Sequence, residues 1–444
     1  MSDDLDALIH EVADWLRIPS VSAGDRNEAA LAEAARWAQR RVLDAGGTCE
    51  LADTPGGAPL VVGELRAARE DAPTVLVYGH YDVQDPGDES LWTTPPFEPD
   101  IRDGRLYARG ACDDKGNFLP LLHVACAMAE AGELDVHVRV LVEGAEESGT
   151  DDVNQWILAD ERGADCAIVF DAAMLDPHTP AVTVALRGIV FATLEVRTGE
   201  RIAHSGLFGG AALNAFHALH AALARVLPGP DGRLPEDLRV GVEPPTPEEL
   251  ASWDSLPDGA TVLAEAGARP ADARAAAEFY TRTTADASLD VHRIAGGDAR
   301  TIVPPTASCD LSVRLAPGQD PPEIAAALEA LLRDGRPEGA ELELTTVLAA
   351  PSSFDPGTEA LRLARGALAR ACGRDAVLIR SGGSIPALAA FAERGIPTLV
   401  SGFALPQDNF HAPDESYAIS SLDLGRRSAR ALYEDLSRLR PARP

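Results

Sequence analysis

Five short stretches of this chain place histidine or carboxylate side chains close behind apolar runs or at the start of a helical pattern. The run 75–78 leads into Gly79-His80-Tyr81-Asp82-Val83-Gln84, and Arg109-Gly-Ala-Cys-Asp-Asp-Lys-Gly sets Asp113, Asp114 and Lys115 at a helix start. The run 136–142 opens onto Glu143-Gly-Ala-Glu146-Glu147-Ser-Gly, 166–170 ends at Asp171, and the loop after 398–401 carries Phe410-His411-Ala-Pro-Asp-Glu. Each alone has an ordinary reading. A His-x-Asp pair fits a satisfied loop histidine, two acids at a helix start fit capping, and paired glutamates fit a solvated surface. The combination points elsewhere. Ligands of open α/β sheets bind at the carboxyl ends of the strands, and that edge here collects two histidines and three or more acids. Such a set suits zinc, or manganese or cobalt. Two ions about 3.5–4 Å apart need a shared carboxylate; they lower the pKa of a bridging water and polarise a carbonyl. A further acid, free of metal, must then take the water's proton and pass it to a leaving amine.

The elements that must hold these groups are legible as hydrophobic periods. Leu5, Leu8, Ile9, Val12, Trp15 and Leu16 recur at helical spacing and predict a helix over 3–18, with a second over 28–45. Apolar runs at 75–78, 136–142, 166–170 and 398–401 predict buried strands, with helices over 115–131 and 153–162 between them. This alternation predicts an α/β layered sheet. From 188 the pattern changes to strands over 190–197, 289–294 and 307–315, the last alternating Cys309, Leu311, Val313 and Leu315, with helices over 211–226 and 322–333. Proline and glycine cluster at Pro228-Gly-Pro-Asp-Gly and Glu243-Pro-Pro-Thr-Pro. The α/β pattern returns with helices over 358–371, 385–394 and 422–439 and a strand over 376–380. We therefore expect an inserted α+β domain over 188–352 and a first domain split into 1–187 and 353–444.

Composition narrows the function classes. The chain has 444 residues, 45% hydrophobic and 25% charged, which excludes a disordered or collagen-like protein. No stretch approaches the roughly 18 uncharged apolar residues of a membrane helix. The start, Met1-Ser-Asp-Asp-Leu, has no basic and apolar leader pattern. The six cysteines, Cys49, Cys112, Cys126, Cys166, Cys309 and Cys372, form no C-x-x-C pair. Reduced thiols and a cytoplasmic location are expected. With 39 basic and 70 acidic residues the net charge is −31, which disfavours nucleic acid and anionic membrane as partners. Lys115 is the single lysine among those 39 basic residues, so a compact ammonium is expected where a guanidinium fork would not fit.

In order, Gly79-His-Tyr-Asp-Val, Gly110-Ala-Cys-Asp-Asp-Lys-Gly, Glu146-Glu-Ser-Gly, Asp171 and His411 make the chain resemble the dinuclear-zinc metallopeptidase family of carnosine dipeptidases, cytosolic nonspecific dipeptidase, aminoacylase, carboxypeptidase G and succinyl-diaminopimelate desuccinylase. The resemblance spans nearly the whole chain. It implies an α/β zinc-peptidase catalytic domain, a mixed sheet flanked by helices, with the insert as an α+β lid and dimerisation domain. It implies two divalent metal ions, zinc with manganese or cobalt as alternatives. His80, Asp113 and Asp171 would hold one, Asp113, Glu147 and His411 the other, with Asp113 bridging. Glu146 matches the family's general base, acting on a metal-bridging water. Asp82 matches the acid that hydrogen-bonds the ligand His80 and fixes its tautomer. Lys115 would offset nearby negative charge.

The chain is most similar to the dipeptidase branch through His80-Tyr-Asp-Val-Gln, Leu186-Arg-Gly, Ala203-His-Ser-Gly-Leu-Phe-Gly-Gly, Arg300-Thr-Ile-Val-Pro and Ser381-Gly-Gly-Ser-Ile-Pro. That likeness implies that His204 reaches into the other subunit's site of a homodimer to hold the oxyanion. Arg314 would pair with the substrate's carboxylate, and Thr301, Gly383 and Ser384 would contact the substrate. Carnosine dipeptidases carry a further lid histidine that Ala349-Ala-Pro-Ser-Ser-Phe-Asp lacks, which argues against carnosine-type specificity. The expected reaction is hydrolysis of dipeptides or short peptides with a free C-terminal carboxylate. The alternative is an N-acyl-amino-acid amidohydrolase of the same site chemistry. Cys112 reads as a small buried filler or an oxidation-sensitive thiol, and His217 and His220 as lid-helix residues without a ligand role.

Overall fold

The computed structural model describes residues 3–383 and 385–440; Ser384 lies outside the described residues. They form two compact units, one of residues 3–184, 354–379 and 385–440, the other of 185–353 and 380–383.

The first unit is built on a mixed sheet. Its strands run in the order Thr48–Ala52, Leu60–Leu65, His137–Glu143, Thr74–His80, Cys166–Phe170, Thr398–Ser401 and Ala181–Leu186. The four from His137–Glu143 to Thr398–Ser401 are mutually parallel, and the flanking pairs are antiparallel. Val75, Val77, Tyr78, Val138, Val140, Ile168, Phe170 and Leu399 are all buried, as central parallel strands require. Parallel strands share a direction, so their carboxyl ends fall on one edge. That is why groups 331 positions apart (411 − 80) can meet.

The helix Lys115–Ala131 lies against this sheet, buried from Phe118 to Cys126 almost without interruption, with Ile419–Leu436 packed on it. The helix Asp3–Leu16 buries the predicted stripe of Leu5, Leu8, Ile9, Val12, Trp15 and Leu16. It stops before Ile18 because Pro19 disfavours helical backbone at the residue ahead of it.

The second unit holds a four-stranded antiparallel sheet in the order Ser288–Gly296, Thr306–Leu315, Gly188–Arg197 and Glu341–Ala349. Val190, Ala192, Leu194 and Val196 share a core with Cys309, Leu311, Val313 and the helices Ala215–Leu223 and Pro321–Gly335. The alternate residues Phe191, Thr193, Glu195 and Arg197 face the other way.

Several bounds differ from the pattern-based ones for identifiable reasons. The helix expected over 211–226 begins at Ala215 because Asn214 caps it, accepting the Phe216 N–H at 2.9 Å. The last helix begins at Ile419, ahead of the apolar period, because its inner face carries buried Ser421, Gly425 and Ser428. The pattern does not single out the strand Glu341–Ala349, an outermost strand whose alternate residues are exposed. It also passes over the short helices Pro247–Trp253 and Gly259–Glu265. Among the described residues no helix is long and apolar enough to cross a membrane.

Candidate metal centre

His80 ends its strand fully buried, and its ring is held from both sides. Nδ1 lies 3.0 Å from the Asp82 main-chain oxygen and Nε2 lies 3.1 Å from Asp113 Oδ1. The Asp82 carboxylate is farther from the ring, 3.4 Å from Nδ1. It is occupied otherwise: it accepts the Ser22 hydroxyl at 2.5 Å and the N–H groups of Glu146 and Glu147 at 3.3 and 3.1 Å. Asp82 therefore organises both the histidine and the acidic turn beyond the neighbouring strand. Gly79 is where the chain needs no side chain, since a Cβ there would lie 2.5 Å from the Phe118 ring and 2.7 Å from Asp114 Oδ2. Asp114 accepts the His80 N–H at 3.2 Å.

His411 comes from the loop after Thr398–Ser401. Its Nε2 lies 2.8 Å from Asp113 Oδ2 and 3.4 Å from Glu147 Oε1. Its φ of +60° is left-handed, as are those of Asn409 and Asp414 at +57° each, conformations that residues with a Cβ adopt at some strain. Three acids hold this loop. Asp408 pairs with Arg105; Asp414 accepts Thr93 Oγ1 at 2.7 Å and lies 3.4 Å from Arg102; Glu415 accepts Arg109 Nη1 at 2.7 Å. Glu415 also takes the N–H groups of Gly110, Cys112 and Asp113 at 3.0, 2.9 and 3.2 Å.

The result is two overlapping groups of ligand atoms, His80 with Asp113 and Asp171, and Asp113 with Glu147 and His411, each within 4.8 Å of one another. A cavity of about 260 Å³ opens beside Asp113, Asp171 and His411. The donor chemistry fits divalent cations. Glu147 Oε1 is buried without a hydrogen-bond donor, and the carboxylates of Asp171 and Glu146 make no hydrogen bond to any described residue. Burial and the charges of Asp113, Glu146 and Glu147 push Asp171 well above the usual carboxylate range, although His80 opposes them. Burial together with Glu147, Asp113 and Asp82 raises Glu146 to about 7, again against His80. The close approach of the Asp113 and Glu147 carboxylates outweighs burial and lifts His411 to about 10. So many acids repelling one another form a site short of positive charge, which is what a pair of dications corrects.

Lys115 is compact and buried, as its singularity predicts, but its hydrogen-bond partners are carbonyls. Nζ donates to Trp15 O at 3.1 Å and Ile18 O at 2.9 Å, clamping the end of the first helix to the Asp113 loop. Burial lowers its pKa to about 7, against the charges of Asp82 and Glu415. Cys112 is a buried filler whose Sγ lies 3.4 Å from Glu415 Oε1; burial and the Glu415 charge raise its pKa well above the ordinary thiol value.

In the second unit, His204 and Thr301 are neighbours. His204 pairs across strands with Ile302, and the Ser205 N–H bonds Thr301 O at 3.0 Å. His204 Nδ1 accepts the Gly206 N–H at 3.0 Å, which places the neutral ring's proton on the free Nε2. Arg314 stands on the sheet beside Ser288 and Ile189, and Gly383 donates its N–H to Ser381 Oγ at 3.1 Å. His217 and His220 are exposed on their helix. Pattern reading left Ser22, Arg109 and Glu415 without roles. Glu415, in the quoted His411 stretch, and Arg109, heading the Asp113 stretch, carried a positional signal; Ser22 carried none.

Residues 76–435 match the family model described as peptidase family M20/M25/M40. The chain belongs to that family, and is thus a peptidase, a hydrolase of peptide bonds. It is 32% identical over 408 residues to the cysteinylglycine-S-conjugate dipeptidase of Corynebacterium striatum, across 86% of this chain and 85% of that protein. It is 26% identical over 400 residues to the β-Ala-His dipeptidase of Rattus norvegicus, across 86% and 80%. An M20 metallo-carboxypeptidase from Sulfolobus solfataricus shares the fold, with a TM-score of 0.84 at 24% identity over 99% of this chain and 100% of that one.

Proposed function

We propose that this chain is a dinuclear metallo-dipeptidase that hydrolyses the peptide bond of dipeptides or short peptides bearing a free C-terminal carboxylate. The observation that carries this reading is Asp113, shared between two ligand groups with a histidine in each. His80, Asp113 and Asp171 would hold one cation and Asp113, Glu147 and His411 the other. Two His with several carboxylates favours zinc, with manganese or cobalt as alternatives. When bound, the pair supplies Lewis acidity and lowers the pKa of water.

The chain's own residues do the rest. Glu146 takes the proton from the attacking water and delivers it to the leaving amine. Asp82 holds His80 and the Glu146–Glu147 turn in register. His204, with its free Nε2–H, steadies the developing oxyanion from the partner subunit of a homodimer. In support, Ile202, Leu207 and Phe208 around it are 52, 78 and 52% exposed, apolar surface that suits a subunit contact. Arg314 receives the substrate's carboxylate, with Thr301, Gly383 and Ser384 as further contacts. Six unpaired cysteines fit a cytoplasmic enzyme.

The test is Glu146→Gln with a substrate panel. The variant should keep metal and fold and lose nearly all turnover; parent-like hydrolysis would sink the mechanism. The parent should prefer dipeptides to N-acetyl and N-succinyl amino acids; the reverse preference would make it an N-acyl-amino-acid amidohydrolase.

A further inference from the structure

We propose that Arg187 joins Arg314 in a two-guanidinium site on the second unit, and that this site takes the terminal carboxylate of the substrate. The proposal deepens the peptide-hydrolase reading and rests on it. Arg187 is the residue between the strands Ala181–Leu186 and Gly188–Arg197, only 9% exposed. Nη1 donates to Ser288 Oγ at 3.0 Å, while its Nε–H is buried with no acceptor. Ser288, Arg314 and Ile189 stand directly opposite one another across three adjacent strands. Arg187 bonds Ser288, the residue paired with Arg314, and the charge of Arg314 reaches it. Arg314 has no hydrogen-bond or ion-pair partner among the described residues.

One guanidinium thus bonds Ser288 and keeps a stranded buried donor, while the other belongs to the residue paired with Ser288 across the strands and is unpaired; the charge of the second reaches the first. Asp290 is the acid whose charge reaches Arg187, and it is exposed and makes no ion pair with it. Burial and the charge of Arg314 both weaken the proton's hold on Arg187, to about 10. The main chain also makes way for this group. The Arg187 N–H bonds Ser381 O at 3.1 Å, and a Cβ on Gly382 would lie 3.2 Å from Arg187 Nη2. A cavity of about 440 Å³ opens beside Arg187 and Ser288. Arg314 is not among the residues lining it; of the other arginines that are, Arg282 is paired with Asp272 and Glu278, while Arg233 and Arg269 make no ion pair among the described residues. An anion with two coplanar acceptor oxygens completes the Arg187 fork and separates the two positive charges.

The experiment compares the metal-loaded parent with Arg187→Gln and Arg187→Lys on a dipeptide and its C-terminal amide, and on an N-acetyl amino acid and its amide. In Arg187→Gln the KM for the acid form should rise roughly 10- to 100-fold, as loss of a charged hydrogen bond implies. kcat and Tm should hold, and the preference for acid over amide should collapse. Arg187→Lys should recover part of the KM. An unchanged acid-to-amide ratio, or a fall in kcat and Tm with that ratio intact, would make Arg187 a structural brace and overturn the proposal. Failure on dipeptides with turnover of N-acetyl amino acids would reject the dipeptidase reading and leave this site standing, because both classes end in a carboxylate. Independently of turnover, calorimetric titration with leucine and leucinamide should show tighter binding of the acid in the parent only; equal affinities in the parent would also overturn it.

Discussion

Glu415 Oε1 accepts the main-chain N–H of Asp113 at 3.2 Å. The acid four residues beyond His411 therefore holds the backbone of the aspartate that both histidines approach. The other Glu415 oxygen takes Arg109 Nη1 at 2.7 Å, and both side chains are almost wholly buried, at 2% and 0% exposure. One carboxylate thus ties two loops, one before the Lys115–Ala131 helix and one after Thr398–Ser401, into a single frame around the candidate cations.

That frame predicts the effect of Glu415→Gln. The change keeps the shape but strands the Arg109 charge, and breaking a buried pair costs about 3–5 kcal/mol. Urea unfolding should show that loss, and metal titration should show weaker binding. A variant as stable as the parent would mean that Arg109 finds another partner.

Sharing of Asp113 makes metal content unequal across the ligands. The parent should bind two equivalents, Asp171→Asn about one, and Asp113→Asn close to none, because only Asp113 belongs to both groups. Elemental analysis after dialysis reads this without an activity assay. Equal loss in the two variants would contradict separate sites.

The pair Glu249–Arg380 in the second unit predicts a pH dependence. Arg380 Nε donates to Glu249 Oε1 at 2.6 Å and the Thr246 N–H to Oε2 at 2.6 Å, with side chains 6 and 4% exposed. Burial raises the Glu249 pKa, but these hydrogen bonds outweigh it and hold it below its ordinary value. A depressed carboxylate contributes stability above its unfolded pKa and loses it as pH falls through the folded value. Glu249→Gln should be less stable than the parent by about 3 kcal/mol at neutral pH. The gap should begin to narrow as pH falls below the ordinary glutamate value of about 4.3 and close only once pH has passed the lower folded value. A gap independent of pH would mean that charge is not what matters there.

Subunit sharing is tested by mixing inactive chains. Glu146→Gln and His204→Ala should each be nearly silent alone, and the exchanged mixture should recover up to about a quarter of parent activity, since one hybrid site in two is intact when half the dimers are hybrid. No recovery after demonstrated exchange would place His204 in its own chain's site.

Strand ends were legible where buried-type runs stop at chemistry-bearing residues. Val75–Tyr78 and Cys166–Phe170 needed only apolar composition and length, because central parallel strands are apolar on both faces. The Glu341–Ala349 strand was not legible, since an outermost strand with alternate residues exposed has a weaker signal. His80, Asp82, Asp113, Asp114, Glu146, Glu147, Asp171 and His411 could be nominated from position; the preference for Asp113 over Asp114 and the division into ligands and base came from the family resemblance.

The linear order of residues determined which groups stand at the carboxyl edge, because strand direction and apolar runs are local properties. Only the folded chain decided which atoms face one another. Ser22 reaches Asp82 across 60 positions, Lys115 reaches Trp15 across 100, and Glu415 reaches Cys112 across 303. Such contacts follow from packing and burial, which place a donor beside an acceptor without leaving any period or spacing in the sequence; the unpaired Nε of Arg187 likewise appears only when every possible acceptor around it has a position.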